Sequence, residues 1–220
     1  MYKSLFISKS NSESEYLNQF LAEKNIKLFS VSFLKFQGVK FNIDFNYDII
    51  FFTSPRSVLF FKEREKIPKN IKIACTGSKT AELLLQMGHK IDFRGRESGE
   101  IEKIADEFNI WSENRNVLFP ISDISLKTIS SKLNTNRVFE VIVYKTIINS
   151  SKIIPCDIYV FTSPSNVDGF LQKNDITNQS IIIAWGTSTE KHLVKNGFKV
   201  NHTLNDSSVN SLIKYLQKNF

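Results

Sequence analysis

Ser54 and Ser163 each follow Phe-Thr and precede Pro. The tetrapeptides Phe52-Thr53-Ser54-Pro55 and Phe161-Thr162-Ser163-Pro164 lie 109 positions apart. A serine hydroxyl here can accept a hydrogen bond from a first-turn N–H and start a helix. Proline suits the next position, where its missing N–H loses nothing. A strand running into a helix N-terminus also leaves backbone donors and partial positive charge facing outward, a seat for an anion. Capping alone explains one such hinge; for two equivalent hinges, capping and anion binding stand as equal readings. Gly77-Ser78-Lys79-Thr80 and Gly186-Thr187-Ser188-Thr189 follow at matching places. In these turns glycine lets backbone approach a ligand, with hydroxyls and N–H groups behind it.

Other chemistry is thin. Gly-x-x-x-x-Gly-Lys-Ser/Thr and Gly-x-Gly-x-x-Gly are both absent, which argues against nucleotide hydrolysis. His89, His192 and His202 lack metal or catalytic spacing and read as surface residues. Cys75 and Cys156 read as buried free thiols of a reducing compartment. Arg94-Gly95-Arg96 is either a solvated loop or a carboxylate trap. Tyr144 is packed, or else faces a cleft and donates a hydrogen bond or proton.

The elements that carry these residues alternate between strand and helix. A first strand spans 3–8 and a helix follows with Tyr16, Leu17, Phe20 and Leu21 on one face. An alternating strand covers 28–36. Next come strand 48–53, helix 55–64, strand 71–75, helix 79–87 ending at Gly88, and strand 90–93. Helix 100–108, strand 116–120 and helix 124–133 complete that block. A long alternating strand, 138–148, leads to strand 157–162, helix 164–172, strand 181–185, helix 189–196 ending at Gly197, strand 198–200 and helix 209–218. Such alternation is the signature of parallel sheets flanked by helices.

At an offset of 109, residues 48–92 overlie 157–201 without a gap: Asp48 meets Asp157, Gly77 meets Gly186, Thr80 meets Thr189 and Gly88 meets Gly197. Val117-Leu118-Phe119-Pro120 similarly takes the place of Ser4-Leu5-Phe6-Ile7. The chain reads as an internal duplication giving two similar parallel-sheet α/β domains. The simplest assembly inserts a domain of 39–137 into a discontinuous domain of 1–30 plus 149–220. The strands at 31–38 and 138–148 form a two-stranded linker. A cleft is expected between the domains. Ligands of open α/β sheets lie at the carboxyl ends of strands, where Ser54, Gly77, Ser122, Ser163 and Gly186 fall.

The 220 residues suffice for a large core. Lys and Arg (29) exceed Asp and Glu (22), so the chain is basic by 7 charges and suits an anionic partner. The basic residues are scattered, with no recognised nucleic-acid module. No leader and no apolar run long enough to span a bilayer is seen, so a cytoplasmic protein without membrane contact is expected.

Taken together, the two Phe-Thr-Ser-Pro hinges, the Gly-x-x-Thr turns, Leu118-Phe119-Pro120-Ile121-Ser122-Asp123 and Val143-Tyr144-Lys145-Thr146 resemble the uroporphyrinogen-III synthase family. The resemblance covers most of the chain. It implies two α/β domains joined by two strands and a cofactor-free lyase of tetrapyrrole (heme, siroheme, cobalamin) biosynthesis. The implied substrate is hydroxymethylbilane, a linear tetrapyrrole rich in carboxylates. Loss of water, inversion of the last ring through a spiro intermediate, and closure would give uroporphyrinogen III. By similarity Tyr144 assists loss of the hydroxyl, and Thr80, Ser163, Ser188 and Thr189 bind carboxylates. Ser54 and Ser122 join them as strand-end hydroxyls. A monomer is expected, meeting the preceding enzyme of the pathway transiently. Ser8-Lys9 and Ile121 depart from the family, many of whose members have Thr-Arg and Arg there. The alternative is a non-catalytic two-domain binder of a small polyanionic ligand.

Overall fold

The computed structural model describes residues 4–10, 15–95, 101–177 and 179–219. The chain divides into two compact units, residues 1–35 with 147–220, and residues 36–146.

In the first unit the elements are β1 (Ser4–Ile7), α1 (Glu15–Glu23), β2 (Lys27–Ser30), then, beyond the inserted residues, β9 (Ile158–Phe161), α5 (Pro164–Leu171), β10 (Ile181–Ala184), α6 (Thr187–Lys195), β11 (His202–Thr203) and α7 (Val209–Asn219). The sheet order is β11-β10-β9-β1-β2, and every pair is parallel. Side chains alternate across it. Leu5, Ile7, Ile158, Val160 and Ile183 meet Leu17 and Leu21 of α1 and Leu212, Ile213 and Leu216 of α7. Phe6, Tyr159, Phe161 and Ile182 face the other way, onto Val167 and Phe170 of α5 and Leu193 of α6. A strand buried on both faces has to be apolar at every position, and β9 is, as is β1 after Ser4.

The second unit is built from β4 (Ile49–Phe52), α2 (Pro55–Lys62), β5 (Lys72–Thr76), α3 (Gly77–Gln86), β6 (Phe93–Gly95), α4 (Ile101–Ser112) and β7 (Val117–Ser122). β3 (Leu34–Gly38) and β8 (Val138–Ile148) complete its sheet, ordered β3-β8-β7-β4-β5-β6. Ile50, Phe52, Ile73 and Leu118 pack against Val58 and Phe61 of α2 and Ala81 and Leu84 of α3. Ile49, Phe51, Val117 and Phe119 pack against Ile104, Ala105 and Phe108 of α4. Gly95 is required where β6 passes α4, because a Cβ there would stand 2.6 Å from Ile104.

Duplication is visible down to single hydrogen bonds. The Asp48 carboxylate accepts from the Asn116 N–H (2.9 Å), and the Asp157 carboxylate accepts from the Ser4 N–H (3.0 Å). The Asp92 side chain accepts from the Ile73 N–H (3.0 Å), as the Asn201 side chain does from the Ile182 N–H (2.8 Å). Gly88 and Gly197 both take positive φ, 79° and 85°.

Four expectations are corrected. First, the third strand of each copy begins after the Asp92 or Asn201 clamp, at Phe93 and His202, rather than at 90–93 and 198–200. Secondly, the strand at 28–36 is two strands, β2 and β3. Phe33 turns into the core, its N–H donating to the Asn166 side chain (3.0 Å) instead of to a ladder. Thirdly, residues 124–133 form no α-helix, only a short 3-10 turn at Ser130–Lys132. Lys127 has φ 58°, the Ser125 hydroxyl accepts from the Lys127 N–H (3.4 Å), and the Ser130 and Ser131 hydroxyls donate to the carbonyls of Lys127 and Thr128 (3.1 Å each). These local bonds compete with a helix ladder. Fourthly, the front register is displaced by one: Ile49 pairs with Val117 and Ile158 with Leu5, so Val117 corresponds to Leu5 and Pro120 to Ser8.

Candidate active site

Both hinges have the expected local geometry. Ser54 and Ser163 are extended (φ −158° and −162°) and cap α2 and α5. The Ser54 hydroxyl accepts from the Ser57 N–H at 3.2 Å. The Ser163 hydroxyl accepts twice, from the Asn166 N–H (3.3 Å) and the Asn166 side-chain amide (3.1 Å). A hydroxyl whose lone pairs are engaged keeps its proton to donate, and a carboxylate ligand needs donors.

The glycine turns differ from each other. Gly77 has φ 63°, a left-handed conformation that suits glycine. Gly186 is fully extended (φ −177°), so backbone conformation does not demand glycine there. α3 and α6 both begin without a side-chain cap bond. One first-turn N–H of α2 and one of α5 is thus taken by the capping serine, while no capping side chain takes those of α3 and α6. Thr80 and Thr189 sit in the first turns of α3 and α6, buried, their hydroxyls without a hydrogen-bond partner among the described residues. Ser188 is exposed beside Thr189, and Ser122 ends β7.

In the first unit the carboxyl ends of β1, β9 and β10 thus gather Ser8, Thr162, Ser163, Ser188 and Thr189. Thr162 is bound to Ser8 three times: its N–H donates to the Ser8 hydroxyl (2.8 Å), its hydroxyl donates to the Ser8 carbonyl (2.7 Å), and the two hydroxyls lie 3.0 Å apart. Lys9 lies 4.8 Å from the Trp185 ring. Asn166, which fixes Ser163 and Phe33 together, was not singled out by sequence; the only signal was an amide inside a helix that its twin at 57 replaces with serine.

In the second unit the carboxyl ends gather Ser54, Thr80, Ser122 and Tyr144. Tyr144 lies opposite Ser122, where a β-bulge interrupts the β7–β8 register. Its ring is stacked on Phe60 (centroids 5.1 Å apart, 22°) and meets the edge of Phe36 (6.0 Å, 72°). Tyr144 is 8% exposed, and its hydroxyl has no hydrogen-bond partner among the described residues. Across the sheet, above Phe119 and Ile121, the loop at 124–130 leaves an apolar cavity of about 230 Å³ reaching Thr53 and Leu126.

The remaining candidates do not converge. Arg94 lies on β6, and Arg96 lies outside the described residues. His192 bonds Asp168 (2.6 Å), His89 bonds Lys62 (3.0 Å) and His202 stacks on Tyr215. Burial pushes both the Cys75 and Cys156 thiols up to about 11, so neither is a ready nucleophile. Among the described residues no cluster of metal-ligating side chains occurs, and no helix is long and apolar enough to cross a membrane.

The family model described as Uroporphyrinogen-III synthase HemD matches residues 17–214. The chain belongs to the uroporphyrinogen-III synthase family. A uroporphyrinogen-III synthetase structure from Helicobacter pylori superposes with a TM-score of 0.73 at 16% identity, covering 99% of both chains. A mutant uroporphyrinogen III synthase from the extremely thermophilic bacterium Thermus thermophilus gives 0.59 at 10% identity, covering 98% of this chain and 97% of that one. These likenesses concern the fold. No curated protein matches the chain by sequence.

Proposed function

We propose that this protein is a uroporphyrinogen-III synthase, a lyase that dehydrates and cyclises hydroxymethylbilane with inversion of the last ring. The family match over residues 17–214 carries the reading. The side chains described above are compatible with it: hydroxyl and N–H donors at the carboxyl ends of both sheets, and no strong nucleophile among them.

In this reading the substrate's electron-rich pyrroles supply the driving force. The C–O bond of the hydroxymethyl group breaks as the leaving oxygen takes a proton from the Tyr144 hydroxyl, releasing water. The substituted carbon of the last ring attacks the resulting cation and forms the spiro intermediate. One bond of that intermediate breaks and re-forms at the ring's free position, and loss of a ring proton restores aromaticity and the phenol. The protein's share is to hold a flexible chain so that the crowded carbon is attacked. Thr80, Ser163, Ser188 and Thr189, with Ser54 and Ser122, bind carboxylates through hydroxyl and backbone donors.

The test is to supply freshly made hydroxymethylbilane and resolve the product isomers. Type III product is expected. Type I product alone, the spontaneous isomer, would leave a polyanion binder instead of a synthase. Tyr144→Phe should lower kcat about a hundredfold, the usual scale of general-acid assistance; unchanged turnover removes the tyrosine from the chemistry.

A further inference from the structure

Arg56 occupies the second position of α2, behind the Ser54 cap and Pro55. It is exposed, and its guanidinium lies 3.8 Å over the ring of Phe36, the ring whose neighbour is Tyr144. No carboxylate pairs with it among the described residues. The helix dipole alone disfavours a cation here. The helix macrodipole is positive at this end, and an acid in the first turn would be favoured, yet the first turn of α2 has none. The fold does not require the arginine either, since Ser165 fills the equivalent position of α5. Lys79, in the first turn of α3, repeats the pattern: its twin is Ser188.

We propose that Arg56 is a substrate-binding residue that grips one carboxylate of the tetrapyrrole and holds it beside the Phe36–Tyr144–Phe60 stack. The proposal rests on the synthase reading for its substrate class. The planar guanidinium lies on the Phe36 face, which fixes its orientation and leaves its N–H edge for a bidentate carboxylate. It acts by position and charge, setting where one acidic arm lies relative to the tyrosine.

Arg56→Gln, Arg56→Lys and Arg56→Glu are compared with Arg64→Gln, a charge control beyond the end of the same helix. Arg56→Gln should raise KM for hydroxymethylbilane about tenfold, the scale of one charge-assisted bond, with kcat within about twofold. Arg56→Lys should recover only part of the loss, and Arg64→Gln should change neither constant. Arg56→Glu should weaken binding most while leaving the melting temperature equal to or above the unmodified protein's. Equilibrium binding of uroporphyrin III, an unreactive polycarboxylate, should fall in the same order. That readout keeps the proposal testable even if the unmodified protein yields only type I product. Unchanged KM and uroporphyrin affinity in Arg56→Gln and Arg56→Glu, or equal losses in Arg64→Gln, would overturn it. So would a binding loss matched by a lowered melting temperature, since Arg56 would then be structural.

Discussion

The duplicated α2 and α5 solve one packing problem in opposite ways. Position 60 of α2 is phenylalanine and the matching position 169 of α5 is glycine. In the second unit, Phe60 lies on Tyr144 and the facing strand carries Gly38, where a Cβ would stand 3.1 Å from the Phe60 ring. In the first unit the large residue is on the facing segment: Phe33 lies over Gly169, where a Cβ would stand 2.5 Å from that of Phe33. One large and one glycine fill each contact, with the roles exchanged. The exchange leaves a tyrosine stacked in one unit and, in the other, a phenylalanine sealed in the core beside Phe6 and Phe170. The two units share a backbone plan, and differ where one is proposed to do chemistry.

Gly169→Ala is the sharpest way to break this comparison. The added methyl meets backbone-anchored atoms that cannot swing away, so a loss of about 3 kcal/mol is expected in urea unfolding. Asn166→Ala comes next, at about 2 kcal/mol, because it strands the buried Phe33 N–H as well as uncoupling Ser163; its counterpart Ser57→Ala should cost less than about 1 kcal/mol. Gly38→Ala is smaller in stability, about 1 kcal/mol, since the Phe60 ring can give. Its effect should fall instead on kcat, measured by type III product formation, because Phe60 stacks directly on Tyr144. Equal losses at Gly38 and Gly169 would mean that the exchange is only packing.

A separate effect falls in alkali. Burial raises both cysteine thiols from 9.0 to about 11. A folded-state value above the unfolded one means the stabilisation is complete below pH 9. It is lost as pH rises towards 11, because the unfolded chain ionises first. The unfolding midpoint should fall over that window, and should fall less in a Cys75→Ala, Cys156→Ala double variant.

Much of the fold was legible because it is written locally. Runs such as Ile49-Ile50-Phe51-Phe52, followed by a cap and a proline, declare a buried strand and a helix start without reference to anything distant. Residues 124–133 have enough apolar positions for a helix, but their serines bond backbone in other ways, a competition that periodicity does not register. The third strands were displaced because Asp92 and Asn201 spend their side chains on the neighbouring strand's backbone. Of the candidate site, the serine hydroxyls were visible as residue types at strand ends, and Tyr144 as a tyrosine within the long strand 138–148. The Arg56–Phe36 contact and the Asn166 bridge were not, since each joins segments separated by 20 positions or far more.

The strand order also has a consequence for synthesis. Residues 36–146 are continuous in sequence and can close their sheet as soon as they leave the ribosome. β1 cannot find its partner β9 until more than 150 further residues have been made. Until then β1 and β2 present an apolar edge, and closing so long a loop is slow. The second unit is therefore expected to be born folded, while the first waits for β9 with one side of β1 uncovered. Conditions that slow elongation late in the message should cost this protein more soluble yield than equal delays early in it.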